Sequence, residues 1–211
     1  MYNWISQLYE NPDMLRMGHC QSADDLNLGM GWLYYGFTRL LRPKKIVVIG
    51  SWRGFSPLVF ARALADNAEN GEVHFIDPSL ADDFWKEADR VNEYFNGYGA
   101  GNIRHYLMTT QEFVESDVYK TLDDIGIVFI DGLHTKEQAK FDYEAFKDKL
   151  SDHGIIMFHD SINLKEVTWL YSDELRYTRS VKLFIDELKA DTELQTFDLP
   201  FANGLTLARK V

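Results

Sequence analysis

Cysteine is all but absent from this sequence. Its 211 residues contain one, Cys20, which excludes an internal disulfide and any cysteine-rich zinc site. A reducing, cytoplasmic setting is the expectation that follows. Long hydrophobic runs are missing too. No window reaches the ~18 apolar residues of a membrane span, so no membrane partner is expected. The N-terminus, Met1-Tyr2-Asn3-Trp4, has no basic stretch followed by an apolar core, so no signal peptide is read there. Basic residues are outnumbered, 22 Lys and Arg against 33 Asp and Glu, giving a formal net charge of −11. A field of that sign repels phosphate backbones and argues against nucleic acid as a partner. Two phosphate-binding signatures are absent as well. There is no G-x-x-x-x-G-K loop. A G-x-G-x-x-G fingerprint started at Gly50 meets Trp52 and Phe55 where glycines should stand, and those side chains would block a pyrophosphate.

What is present is enough apolar material, 45% of residues, for one sizeable core. Its centre is Lys45 to Ser56. Ile46 to Gly50 reads as a buried parallel strand of branched apolar residues. A bend on Gly50 and Gly54 follows, and Ser56-Pro57 reads as a helix N-cap with proline at the first helical position. Strand, glycine bend and helix start together make a nucleotide-type pocket at the carboxyl edge of a sheet. From Lys44 onward strands and helices alternate, which predicts a doubly wound α/β sheet. Strands are expected at 72–77, 103–107, 125–130 and 154–158. Phe84, Ala88, Val91 and Phe95 stripe one helix; Ala139, Tyr143, Phe146 and Leu150 stripe another. A short helix is expected from Thr110 to Tyr119. Residues 161–180 lack period and read as a loop-rich insertion. A helix face at Val181, Phe184, Ile185 and Leu188 follows, then two antiparallel strands around Asn203-Gly204. The first 43 residues form an aromatic, helical segment. It packs on the core, covers the pocket as a lid, or makes a homodimer contact. Residues 44–211 form the α/β domain.

Polar residues end several strands at one edge. Asp77 ends the second, Asp131 the fourth, and His159-Asp160 the fifth. With the glycine bend they converge where open α/β sheets bind ligands. Each alone has a plainer reading. Asp is a common turn residue, His134 could cap the helix beginning near Thr135, and His159-Asp160 could be an internally bonded turn. His19, His74, His105 and His153 have no companions in the sequence and read as structural or surface residues.

In order and spacing, residues 44–160 resemble class I S-adenosylmethionine-dependent methyltransferases. Ile49-Gly-Ser-Trp-Arg-Gly-Phe-Ser56 is similar to their first motif. Asp77 resembles their acidic ribose-binding residue. Ile130-Asp-Gly-Leu-His134, then Asp142, then Gly154 to Asp160 are similar to blocks of the small-molecule O-methyltransferase branch, the group called methyltransferase family 24. The resemblance implies a Rossmann-like, mainly parallel seven-stranded sheet closed by an antiparallel hairpin strand. It implies S-adenosylmethionine bound by Gly50, Ser51, Trp52, Arg53, Gly54, Ser56, Asp77 and Asp131, with Thr110 and Gln111 near the adenine. It also implies a small-molecule methyl acceptor activated in one of two ways. His134 would serve as general base, or a divalent ion, Mg2+ or Mn2+, held by Asp131, His159 and Asp160 would act as Lewis acid. One departure stands out: the family usually has an acidic residue two before the first glycine, and this chain has Val48. A non-catalytic cofactor- or partner-binding protein on the same fold is therefore the alternative. A dinucleotide-dependent oxidoreductase is weaker still.

Overall fold

The computed structural model describes residues 1–16, 18–167 and 177–211; residue 17 and the middle of the expected 161–180 insertion lie outside the described residues. Its frame is a seven-stranded sheet built from β1 (Lys45–Ile49), β2 (Glu72–Ile76), β3 (Ile103–Tyr106), β4 (Ile125–Ile130), β5 (Leu150–His159), β8 (Leu194–Leu199) and β9 (Leu205–Lys210). The spatial order is β3-β2-β1-β4-β5-β9-β8. The first five strands pair in parallel and β9 runs antiparallel to both β5 and β8. This is the expected doubly wound sheet with its closing hairpin. The chain winds outward from β1 in one direction and returns through β4 in the other. That reversal leaves a crevice at the carboxyl ends of β1 and β4.

Burial on both faces explains the unbroken apolar strands. One face carries α1 (Tyr2–Tyr9), α2 (Gly31–Leu41), α3 (Phe55–Asn67) and α4 (Ala88–Gly97). Trp4, Ile5, Leu8, Tyr34, Phe60, Val91 and Phe95 pack there against Val48, Phe75 and Phe129. On the other, Phe113, Tyr143, Phe146, Phe184 and Ile185 cover Val47, Val128, Ile156 and Phe158. These residues come from α5 (Thr110–Phe113), α7 (Lys136–Phe146) and α8 (Val181–Leu188). The N-terminal helices thus share the sheet's own core. No described helix is long and apolar enough to cross a membrane.

Several local expectations are corrected. The helix after the glycine bend starts at Phe55, capped by Gly54 in the left-handed region, φ 81, and Ser56 is already inside it. The hydroxyl doing the local bonding is Ser51, whose Oγ accepts from the Gly54 N–H at 3.1 Å. The helix expected over 110–119 breaks into α5 and α6 (Asp117–Thr121) because Ser116 starts a new N-cap, accepting from the Tyr119 N–H. Phe84 lies before α4, in the loop that follows β2, and Leu150 begins β5 instead of extending the helix stripe. Within the insertion, β6 (Lys165–Val167) and β7 (Tyr177–Arg179) pair as a small antiparallel ladder.

Candidate active site

A cavity of about 440 Å³ opens at the β1/β4 switch point, within the usual size of small-molecule sites. Gly50 makes it possible. Its φ is +77, and a Cβ there would lie 2.5 Å from both the Asp131 carbonyl oxygen and the Gly132 Cα. Only glycine lets the two strand ends approach so closely. Gly50, Ser51, Trp52, Asp77, Thr110, Gln111, Asp131, His134, His159 and Asp160 all line the cavity, as the motif reading expected.

Three residues of the glycine bend do not. Arg53, Gly54 and Ser56 are absent from the lining because the bend turns them away from it. Arg53 is clamped between Asp13, 3.1 Å, and Asp82, 2.7 Å, with its guanidinium over the rings of Trp52 and Phe84. A Cβ on Gly54 would meet Trp85 and Phe95, and Ser56 is fully buried in α3. Val48 is fully buried in the core and does not line the cavity.

At the β2 end, Asp77 accepts from the Ser51 N–H at 2.9 Å and the Ser79 N–H at 2.7 Å. Burial nevertheless lifts its pKa to about 6, against the pull of those two bonds. Each oxygen keeps a further lone pair for a donor in the cavity.

At the β4 and β5 ends lies a buried cluster of three histidines and two carboxylates. His159 Nδ1 stands 2.8 Å from Asp131 Oδ1. His134 Nε2 stands 3.8 Å from Asp131 and 3.7 Å from Asp160. The third member is His19, which nothing in its sequence neighbourhood marked. It is fully buried, stacks on Phe55 with centroids 5.0 Å apart, and lies 4.4 Å from the His159 ring. Its Nδ1 meets the Tyr34 hydroxyl at 2.9 Å and its Nε2 faces Asp131 at 3.7 Å. The Met30 N–H, bonded to the His19 carbonyl at 2.7 Å, pins that loop in place. Arg179, on β7, bonds Asp160 and was also missed.

The cluster's charges follow from these contacts. Burial alone would lower His159, but the Asp131 and Asp160 charges outweigh it and raise its pKa to about 9. Burial dominates His19 and, with the neighbouring His159 charge, lowers it to about 3. Burial also lowers His134, against the attraction of Asp160 and Asp131. Asp160 is driven to about 2: burial opposes this, but His159, His134 and Arg179 prevail. At neutral pH, His159 and Arg179 therefore balance Asp131 and Asp160, and His134 stays neutral.

Asp131, His159 and Asp160, the residues expected to hold a metal, lie together in this cluster, with His159 Nδ1 2.8 Å from Asp131 and 3.6 Å from Asp160. Among the described residues no group of three or more His, Cys, Asp or Glu side chains is placed to hold a metal ion. The reason is geometric: Asp131 engages His159, and the Arg179 guanidinium already serves Asp160. Nor does His134 cap α7. The Thr135 hydroxyl does, accepting from the Gln138 N–H at 3.2 Å.

The parallel sheet, the antiparallel β9 and the cavity with an acidic β2 end define a Rossmann-like fold of the class I methyltransferase kind. A family model described as methyltransferase domain matches residues 47–161, and the chain belongs to that family, as its motifs implied. Among solved structures, the Bacillus cereus O-methyltransferase in complex with SAH is similar over 99% of this chain and 91% of that one, at TM-score 0.69 and 14% identity. The SAH-bound methyltransferase PaMTH1 of Podospora anserina aligns over 100% and 86%, at TM-score 0.64 and 20% identity. The uncharacterized protein y4gI of Sinorhizobium fredii is 27% identical over 146 residues, which is 62% of this chain and 15% of that relative. This chain thus spans a small part of that curated relative's length.

Proposed function

We propose that this methyltransferase carries a methyl group from S-adenosylmethionine to an oxygen of a small molecule, with His134 as general base. One observation carries the reading. A single cavity has a half-buried carboxylate, Asp77, at the end of β2 and a neutral, buried imidazole, His134, beyond β4. The residues suit the cofactor. Asp77 offers acceptors to two ribose hydroxyls, Gly50 lets backbone come close, and Asp131 supplies the negative charge that Val48 does not. Bound there, S-adenosylmethionine supplies an electrophilic methyl on a sulfonium.

His134 takes the proton of the acceptor hydroxyl as the oxygen–methyl bond forms and the carbon–sulfur bond breaks. Asp160 and Asp131 then face the imidazolium that results. A base so placed contributes about 10²–10⁴-fold, and alignment of acceptor and methyl contributes the larger share.

Calorimetric titration with S-adenosylhomocysteine tests the cofactor reading. Micromolar-range binding is expected, weakened about a hundredfold in Asp77→Ala, which deletes a charged acceptor lining the cavity. No heat with the wild-type chain at high concentration would overturn the proposal.

A further inference from the structure

Two cations face each other across the small β6–β7 ladder, whose register sets Lys165 directly opposite Arg179. Cross-strand partners point to the same face, and both side chains line the cavity. Like charges so placed are destabilising. The chain as a whole carries −11, so its general composition does not account for the pair. Asp160 answers one of the two cations by accepting from Arg179 Nη1. The Arg179 Nε is buried without a hydrogen-bond partner, and Lys165 forms no ion pair with a described residue. Glu166, also on the cavity wall, takes the alternate strand position, opposite Thr178, and so does not come between them.

The pair stands close to the proposed base. The Asp160 oxygen that bonds Arg179 Nη1, Oδ2, is 3.7 Å from His134 Nε2. Adding one hydrogen-bond length puts that guanidinium nitrogen within about 7 Å of the base. We propose that the methyl acceptor is a hydroxy acid, its carboxylate held between Lys165 and Arg179 while its hydroxyl meets His134. The inference rests on the S-adenosylmethionine reading and names the substrate class that this reading leaves open. A guanidinium fork with one corner engaged by Asp160 keeps donors for a second carboxylate, and Lys165 adds a point charge from the facing strand. Two cations less the Asp160 charge leave room for a single negative charge, which suits a carboxylate better than a phosphate dianion. The acid resolves the like-charge conflict when it binds. During transfer its carboxylate stays ionised and in place, and only the hydroxyl proton moves, to His134.

The test uses matched probes: 2-hydroxybenzoate, 3-hydroxybenzoate and 3-hydroxybutyrate, each against its neutral amide. Transfer from S-adenosylmethionine is read by release of S-adenosylhomocysteine. Binding of the same pairs to the S-adenosylhomocysteine-loaded chain is read by calorimetry. An acid is expected to exceed its amide by about tenfold to a hundredfold in kcat/KM, with the difference in KM. Lys165 is exposed, so Lys165→Gln should keep the wild-type melt and lose most of that preference. Arg179→Lys retains a charge for Asp160 but not the fork, and should lose at least about tenfold of it. Equal use of acids and amides, transfer to amides alone, or an unchanged preference in Lys165→Gln would overturn the inference and leave the cofactor reading standing. So would a chain that binds S-adenosylhomocysteine yet neither binds nor methylates any of the acids. No binding of S-adenosylhomocysteine by the wild type would overturn both.

Discussion

His134 and His159 share the same two carboxylates, yet the structure gives them opposite protonation. His159 touches Asp131 at 2.8 Å and is held charged, while His134 stands 3.7 Å or more from either carboxylate and is held neutral by burial. Distance decides, because Coulomb attraction must exceed the cost of burying the charge. Two outcomes follow. His134→Gln should lower methyl transfer by about 10²–10⁴-fold with S-adenosylhomocysteine affinity within about twofold of wild type, read by single-turnover transfer and calorimetry once an acceptor is in hand. A matching loss of affinity would make His134 a binding residue instead. For His159 the folded pKa, about 9, lies above the ordinary 6.5. Its stabilisation is therefore complete below pH 6.5 and is lost as pH rises through 9, a loss of about 3 kcal/mol in full. Melting temperature should fall between pH 6.5 and 9.5 in the wild type, and this fall should be missing in His159→Gln. The residues at strand ends were legible in the sequence, since each directly follows an apolar run. His19 was not given its role, because a loop histidine reveals nothing until neighbours surround it.

Among the elements, the segment that binds the cofactor loop to its surroundings is the bend at Arg53. This side chain bridges Asp13, in the short 3-10 helix at Pro12–Arg16, and Asp82, in the loop between β2 and α4. Its backbone carbonyl accepts from the Tyr94 hydroxyl at 2.8 Å, and Trp85 reaches the Ser51 carbonyl at 3.1 Å. One guanidinium thus joins three elements around the cavity mouth. Arg53→Gln is expected to cost about 1.5–3 kcal/mol, the range for bonds to charged groups, and to speed amide exchange in residues 10–16 and 79–86 together. Faster exchange in only one of the two segments would show that the bridge does not couple them. The sequence suggested the opposite placement, with Arg53 on the ligand. The motif fixes the bend, but which way its side chains turn depends on carboxylates from two other segments.

At the scale of the whole molecule, the first 43 residues belong to the core. Trp4, Ile5, Leu8, Met14, Leu28, Met30 and Tyr34 are buried with the sheet residues. At roughly 1.5–3 kcal/mol for each buried large side chain, their loss removes about 10–20 kcal/mol, as much as or more than the ~5–15 kcal/mol that holds a domain folded. A chain lacking residues 1–43 is expected to show no cooperative thermal transition. A detachable lid would leave the melt of residues 44–211 nearly intact. The same segment delivers His19 to the cluster, so the α/β domain alone would lack part of its site.

The sequence by itself determined the sheet, its winding and the carboxyl edge where chemistry gathers. Apolar runs, glycine bends and polar strand ends are local features, and parallel strands must place their ends together. Only the tertiary structure decided which of those ends face the cavity, that Arg179 bonds Asp160, and that His19 joins the cluster. Those outcomes depend on the distance between groups far apart in the chain, and burial turns differences of about an ångström into opposite protonation states.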